Sequence, residues 1–184
     1  MGLAQSFSIC LQQAYDAGAD VVFIYEDDAI PFESGFCSKR YQQALLTSVP
    51  DDNLVLLLGG HHFVVDPQNE NDNSPFVPMI QSYGTYGYAV KRKYMMPVSH
   101  MLADQVAECI AVQRKCSPDV SFYHLARSLG LAIHAVNPLL IDHMQGIYSN
   151  TWGKKRSSTK AGEAWMGKMN VYEMINEHPN MNIK

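Results

Sequence analysis

Apolar residues recur every three or four positions in several parts of the chain, and this spacing predicts helices. In the first of these segments, Leu3, Phe7 and Leu11 fall on one face, and Gly18 follows as a stop signal. A helix of this kind buries its apolar face against a neighbouring element. The predicted helices cover residues 3–17, 34–48, about 93–114 and 117–130.

Continuous apolar runs predict buried strands. The runs "DVVFIY" and "NLVLLLGG" are apolar at nearly every position, so we expect central strands that are covered on both faces. A stretch rich in tyrosine and valine, 80–92, is predicted as a strand or hairpin, and 131–141 as the last strand. Residues 64–79 are polar and hold three prolines, which predicts an exposed loop. The alternation of helices and strands predicts an α/β fold.

Composition narrows the function classes. The chain has 184 residues, 47% of them hydrophobic, and a net charge of -4, so it lacks the broad basic surface that binds nucleic acid. No apolar stretch is long enough to predict a transmembrane helix. The four cysteines form no C-x-x-C pair, and no glycosylation acceptor has a permitted middle residue. These observations favour a cytoplasmic protein.

Three adjacent carboxylates, Glu26, Asp27 and Asp28, follow the first predicted strand. Like charges so close together are costly to bury unless a cation lies among them. Ligands of α/β sheets bind beyond the carboxyl ends of the strands, and oxygen ligands suit Mg²⁺ or Mn²⁺ shared with a substrate diphosphate. Alternation along the strand puts Asp27 on the opposite side from the other two. We expect Asp28 as the first ligand, and a solvated acidic turn is the alternative.

The ordered set "GLAQSFSICLQQAYDAGADVVFIYEDDAIP", "VLLLGG", "YGTYGYAVKR" and "PDVSFYHLARSLGLAIHAVNPLLIDH" resembles glycosyltransferase family 25, the lipopolysaccharide and collagen galactosyltransferase group. The resemblance covers roughly residues 2–150. It implies a GT-A-like, Rossmann-type mixed sheet flanked by helices, in a catalytic core over 1–150. It also implies transfer of a hexose from a nucleotide-sugar donor to a hydroxyl acceptor, such as a glycan or lipid-linked glycan, with inversion. We expect residues 151–184 to form a basic and weakly helical tail.

Carried over by position, the metal motif of the family falls on Glu26, Asp27 and Asp28 and implies bound Mn²⁺ or Mg²⁺. Asp119 lies where inverting GT-A enzymes often carry the catalytic base, and a carboxylate at a helix start stays ionised. A plain N-cap is the alternative for Asp119. His143 falls where many GT-A enzymes place a third metal ligand, whereas family 25 tends to have a glutamine nearby, as with residue 145 here.

Further residues are predicted to bind the donor or acceptor. They comprise the end of the Gly-Gly strand, the tyrosine-rich strand that lines the sugar pocket in the family, and a basic run suited to a diphosphate. Histidines after a Gly-Gly strand end are more often loop residues, and a charge run is usually solvated. The residues are Gly59, Gly60, His61, Tyr83, Tyr86, Tyr88, Lys154, Lys155 and Arg156.

In the GT-A fold, a βαβ segment that holds the nucleotide base precedes the helix with which this sequence begins. We therefore expect the first strand or two to be missing and the wall around the base to be incomplete. Two alternative functions follow. One is a catalytically silent GT-A-like module that binds a sugar or a partner. The weaker one is a phosphohydrolase that uses Asp27 or Asp28 as nucleophile.

Overall fold

The computed structural model describes most of the first 143 residues and two short strands beyond them. For a few strand residues, among them His61, Tyr83 and His143, only the backbone is described. The predicted helix at 34–48 and the tail after Lys155 fall largely outside the described part. The described residues are 2–31, 45, 47–65, 74–112, 118–137, 139–143, 148–149 and 154–155.

The described elements follow the alternating order that the sequence predicts. The helices are α1 (Gly2–Asp16), α2 (Arg92–Ala111) and α3 (Pro118–Leu129). The strands are β1 (Val21–Tyr25), β2 (Ala29–Pro31), β3 (Asn53–Val65), β4 (Phe76–Lys91), β5 (Ala132–Val136), β6 (Ile141–His143), β7 (Tyr148–Ser149) and β8 (Lys154–Lys155).

The main sheet has four strands in the order β1-β4-β3-β5. Strand β4 runs antiparallel to both β1 and β3, whereas β3 and β5 are parallel. Strand β4 also pairs with β5 through its first residues, 76–78. The predicted mixed α/β sheet with flanking helices is therefore confirmed. Among the described strands β1 pairs only with β4, so it ends the strand order and is not central as predicted.

The predicted loop at 64–79 is shorter than expected. Strand β3 continues to Val65 and β4 begins at Phe76, so the prediction was wrong at both ends of the loop. The polar residues and prolines in the middle of this stretch predict a loop, and the short apolar segments at its two ends are too brief to predict strands by themselves. Phe76 and Val77 are buried because they pair with Val136 and Ala135 of β5.

The predicted last strand is broken into two elements. Strand β5 ends at Val136, and four residues later the backbone amide of Leu140 donates to the carbonyl of Leu58 on β3 at 2.8 Å. Strand β6 begins at Ile141 and pairs with β2 instead of the main sheet. The sequence "AVNPLLI" is apolar on both sides of the break, so hydrophobicity alone could not locate it.

Two helix ends agree with the predicted glycine stops. Gly18 follows α1 with φ 80° and Gly130 follows α3 with φ 64°. Positive φ angles are strained for residues with a side chain, which explains glycine at both positions. Arg92 also stabilises the end of α1, because its Nη1 donates to the carbonyl of Tyr15 at 2.8 Å and its guanidinium lies over the Tyr15 ring.

Buried side chains form two clusters, one on each face of the sheet. The larger cluster joins α1, α2 and α3 to the sheet, and Phe7, Leu102 and Phe122 represent the three helices in it. We call this face the helix side. The cluster on the opposite face includes Leu56 and Tyr86 together with Ile141 of β6. The prediction that β3 is apolar on both faces is thus confirmed.

Candidate functional site

The three carboxylates form a tight turn at the end of β1, which we call the carboxylate turn (residues 26–28). The backbone amide of Glu26 donates to the carbonyl of Tyr86 on β4 at 3.0 Å. The amide of Ala29 donates to the carbonyl of Glu26 at 3.1 Å, which closes the turn. The main chain of the acidic triplet is therefore fixed to the sheet at its first residue.

The carboxylates do not share one face. Val22 and Ile24 pack in the cluster on the helix side, and Phe23 between them packs against the opposite cluster. Alternation continued past the end of β1 would put Glu26 on the helix side, where its charge acts on Tyr88, whereas its cross-strand neighbour Tyr86 packs on the opposite face. Asp27 is exposed, whereas Asp28 is partly buried and its Oδ1 atom is shielded from solvent.

Strand β6 brings His143 beside the carboxylate turn. In the antiparallel β2–β6 pair, Ala29 lies opposite His143, and Asp28 immediately precedes Ala29. Residues that face each other in such a pair have Cα atoms about 4.5–5.5 Å apart. The side chain of His143 is outside the described part, so its role as a ligand stays a prediction.

Gly59 allows β6 to lie directly on the sheet. A Cβ atom at Gly59 would come within 2.9 Å of the carbonyl carbon of Ile141 and closer still to its oxygen. A Cβ atom at Gly87, which pairs with Gly59, would meet the Tyr25 ring at 2.9 Å. Gly59 and Gly60 are both buried. Gly59 therefore serves the packing of β6, and the predicted donor contacts of both glycines stay predictions.

Asp119 connects α3 to β4. It lies in the first turn of α3, and its Oδ2 accepts a hydrogen bond from the backbone amide of Gly84 at 2.9 Å. Gly84 has φ 74°, a left-handed conformation that favours glycine. Because α3 begins at Pro118, Asp119 is a residue of the first helical turn and not the residue before it. Its side chain accepts a hydrogen bond from the sheet instead of capping the helix. Its predicted role as a base is not tested by this contact.

A second hydrogen bond joins the same two elements. Tyr123, one turn after Asp119, donates its hydroxyl to the Oγ of Ser82 at 2.8 Å, and Ser82 is fully buried. Burial raises the pKa of the Tyr123 hydroxyl well above its usual range, the hydrogen bond with Ser82 partly offsets this rise, and the charge of Asp119 adds to it. Tyr123 is therefore a neutral donor at physiological pH.

The candidate base and the carboxylate turn are attached to one short segment of β4. Gly84 binds the Asp119 side chain, and Tyr86, two residues later, binds the Glu26 amide. A strand rises about 3.3 Å per residue, so the two attachment points are roughly 7 Å apart. Asp119 belongs to a helix on the helix side, where alternation also puts Glu26.

The tyrosines that were predicted to line the sugar pocket are enclosed. Tyr86 packs in the cluster opposite the helices, and Tyr88 lies on the helix side between Phe7 and Phe122, with ring centroids 5.1 and 5.2 Å away. Tyr86 is 4% exposed and Tyr88 is 0% exposed. Direct contact of either ring with a ligand would need a rearrangement. Only the backbone of Tyr83 is described.

The remaining predicted contacts are described in part. The backbone of His61 pairs with Tyr83 in the β3–β4 hairpin. Lys154 and Lys155 form β8, which pairs with β7, and Arg156 lies outside the described residues. Their predicted binding of a diphosphate stays a prediction.

The carboxylate turn can contribute to a metal site but does not enclose one alone. Among the described side chains, no three histidine, cysteine, aspartate or glutamate groups converge to hold an ion. Mg²⁺ and Mn²⁺ sites that act on nucleotides commonly use one or two carboxylates, with substrate phosphates and waters as the other ligands. Asp28 has a shielded oxygen, and the backbone of His143 lies opposite the next residue, Ala29; carboxylate and imidazole groups suit that kind of donor set.

A groove between α2 and α3 was not predicted from the sequence. It has a volume of about 440 Å³, and Asp104 and Glu108 of α2 face Ser121 and His124 of α3 across it. The two acids are one helical turn apart, a spacing that the sequence shows but that is also typical of a solvated helix face. The groove therefore adds no residue to the candidate site.

Within the described ranges, no helix is long and apolar enough to cross a membrane. The chain matches no model of a known protein family, and a search of curated proteins finds no match either.

Proposed function

We propose that this chain is a metal-dependent glycosyltransferase with a GT-A-like core, which moves a hexose from a nucleotide-sugar donor to a hydroxyl acceptor with inversion. The observation that carries the proposal is the convergence at one end of the sheet. The carbonyl of Tyr86 holds the start of the carboxylate turn, the amide of Gly84 holds the carboxylate of Asp119, and the backbone of His143 pairs with Ala29, which follows the turn.

In this proposal Asp28 is the first metal ligand, supported by Glu26 or Asp27 and by His143. A bound Mn²⁺ or Mg²⁺ neutralises charge on the diphosphate of the donor. The turn conformation suits this task because the main chain is fixed at Glu26 and Ala29, so the side chains project from a rigid frame. The basic run that begins at Lys154 adds positive charge to the same diphosphate.

Asp119 is the proposed base. It accepts the proton of the acceptor hydroxyl while the hydroxyl oxygen bonds to the anomeric carbon and the bond from that carbon to the diphosphate oxygen breaks. The hydrogen bond from Gly84 occupies one acceptor position of Oδ2. A carboxylate has about four such positions, so this bond orients the group and leaves capacity for the proton.

The same hydrogen bond favours a second candidate function. If the task of Asp119 is only to hold Gly84 and the left-handed bend of β4, the chain is a silent GT-A-like module that binds a sugar or a partner. Both candidates share the fold and the residues of the candidate site. They differ in whether Asp119 takes part in turnover.

We also propose a cytoplasmic location. Cys10 is exposed and Cys109 is buried, and both are free thiols in the structure. Free thiols are ordinary in a reducing compartment.

The proposed function is tested by incubating the protein with a panel of sugar nucleotides and hydroxyl acceptors, with and without Mn²⁺, and by measuring transfer or hydrolysis by mass spectrometry. Turnover of one donor that depends on Mn²⁺ supports the enzyme. Binding of a donor without turnover supports the silent module. If no donor binds under any condition, both candidates are wrong.

A further inference from the structure

The hydroxyl of Tyr88 is buried in an unusual way for a tyrosine. The side chain is 0% exposed, and its hydroxyl has no hydrogen-bond partner among the residues that the structure describes. A buried hydroxyl without a partner costs about 1–3 kcal/mol. Phenylalanine would fill the same space between Phe7 and Phe122 without that cost. The sequence therefore keeps a hydroxyl at a position where the described packing does not use it.

Glu26 is the carboxylate whose charge acts on this hydroxyl. Tyr88 pairs with Ile24 across the β1–β4 ladder, and both pack in the cluster on the helix side. Glu26 is two residues after Ile24, so alternation puts its side chain on the same face. Contact between the two groups requires the Glu26 carboxylate to turn toward the core.

Electrostatics agree with this geometry. Burial raises the pKa of Tyr88 well above its usual range, and the charges of Cys10 and Glu26 raise it further. The phenol is therefore a neutral donor at physiological pH. Cys10 is exposed on α1, and a thiol accepts hydrogen bonds only weakly. A carboxylate accepts far more strongly, which favours Glu26 as the partner.

We propose that Tyr88 is a positioning residue, whose hydroxyl donates to the Glu26 carboxylate when a metal and a diphosphate are bound and so orients Glu26 toward them. The proposal rests on the proposed function. It changes the role of Tyr88 from direct contact with a sugar to action through Glu26. The enclosed ring need not move, since the carboxylate comes to the hydroxyl.

The test is the Tyr88→Phe variant, with binding of Mn²⁺ together with UDP or GDP measured by calorimetry. We expect binding to weaken about tenfold or more, the range for a hydrogen bond to a charged group. The melting temperature without ligand should stay the same or rise, because the variant removes a buried polar atom. Tyr94→Phe is the matched control, since its hydroxyl donates to the Asp51 carbonyl at the other end of the sheet. It should leave binding unchanged.

A double variant tests whether Tyr88 acts through Glu26. If it does, adding Tyr88→Phe to Glu26→Ala, which leaves no side-chain acceptor for the hydroxyl, causes no further loss of binding. Additive losses would overturn the inference, and so would Tyr88→Phe that binds as tightly as the wild type, whatever its melting temperature. A wild-type protein that binds neither nucleotide with Mn²⁺ would instead overturn the proposed function, and this inference with it.

Discussion

The carboxylate of Asp119 accepts a hydrogen bond from the backbone amide of Gly84, with 2.9 Å between Oδ2 and the nitrogen. Two residues further along β4, the carbonyl of Tyr86 holds the amide of Glu26. One strand segment therefore sets the position of the candidate base and of Glu26, where the carboxylate turn begins. A change that loosens this segment should affect both.

Two substitutions separate the structural role of Asp119 from its proposed chemical role. In Asp119→Asn the side-chain oxygen still accepts from Gly84, so we expect the fold to persist while turnover falls about 10²-fold or more. Asp119→Ala also leaves the Gly84 amide without its partner, so the free energy of unfolding should fall by about 1–3 kcal/mol. Steady-state kinetics and urea unfolding measure the two effects. Normal turnover of folded Asp119→Asn would rule out the base.

Gly59→Ala tests the close approach of β6 to the sheet. The added Cβ would collide with the Ile141 backbone, so we expect a loss of about 1–3 kcal/mol in the free energy of unfolding. Metal-dependent ligand binding should also weaken, because β6 carries His143. Gly2→Ala is the control, since its Cβ meets nothing within 4 Å. Equal stability of the two variants, measured by urea unfolding, would contradict the packing described here.

His134 should make stability depend on pH. It is buried in β5, and its Nδ1 and backbone amide both lie 3.0 Å from the Oδ1 of Asn53. Burial lowers its pKa, and the charge of Asp52 partly offsets this. As the pH falls, His134 is therefore protonated first in the unfolded chain, at about pH 6.5.

It follows that the contribution of His134 to stability is complete above about pH 6.5 and is lost as the pH falls from there toward its lowered folded-state pKa. Urea unfolding on either side of that pH measures the change. His134→Gln should show a smaller loss of stability on acidification than the wild type. An identical pH dependence in the two proteins would show that His134 is not responsible.

The hydrogen bond between Tyr123 and Ser82 should stabilise the contact between α3 and β4. Tyr123→Phe leaves the buried Ser82 hydroxyl without this donor, so we expect the free energy of unfolding to fall by about 1 kcal/mol. Thermal unfolding followed by circular dichroism measures it. If the same substitution at Tyr94, which is bonded to a carbonyl near the surface, costs as much, the buried position of Ser82 has no special importance.

The sequence predicted the parts of the fold that depend on local pattern. The helical spacing of Phe7 and Leu11, and the stops at Gly18 and Gly130, agree with the structure. The break after Val136 could not be predicted, because it depends on a hydrogen bond between Leu140 and Leu58, two residues that are far apart in the sequence. The strand order could not be predicted for the same reason, since the position of β1 at the end of the described sheet depends on its pairing with the distant strand β4.

The candidate site shows the same division. The acidic triplet was visible as a cluster because its members are adjacent in the chain. The contact of Asp119 with Gly84 was not visible, since it crosses from a helix to a strand. The enclosed position of Tyr88 was also missed, because a tyrosine-rich strand is typical of a pocket wall and of a core alike.

The most direct test of the account is the binding of Mn²⁺, followed by electron paramagnetic resonance, with and without UDP or GDP. We predict that the wild type binds Mn²⁺ tightly only with a nucleotide, that this complex raises the melting temperature, and that Asp28→Asn abolishes both effects. Asp104→Asn is the control, because Asp104 is an exposed carboxylate on α2 outside the carboxylate turn, and this variant should behave as the wild type. Unchanged binding in Asp28→Asn, or no binding in the wild type, would contradict the assignment of the carboxylate turn as the metal site.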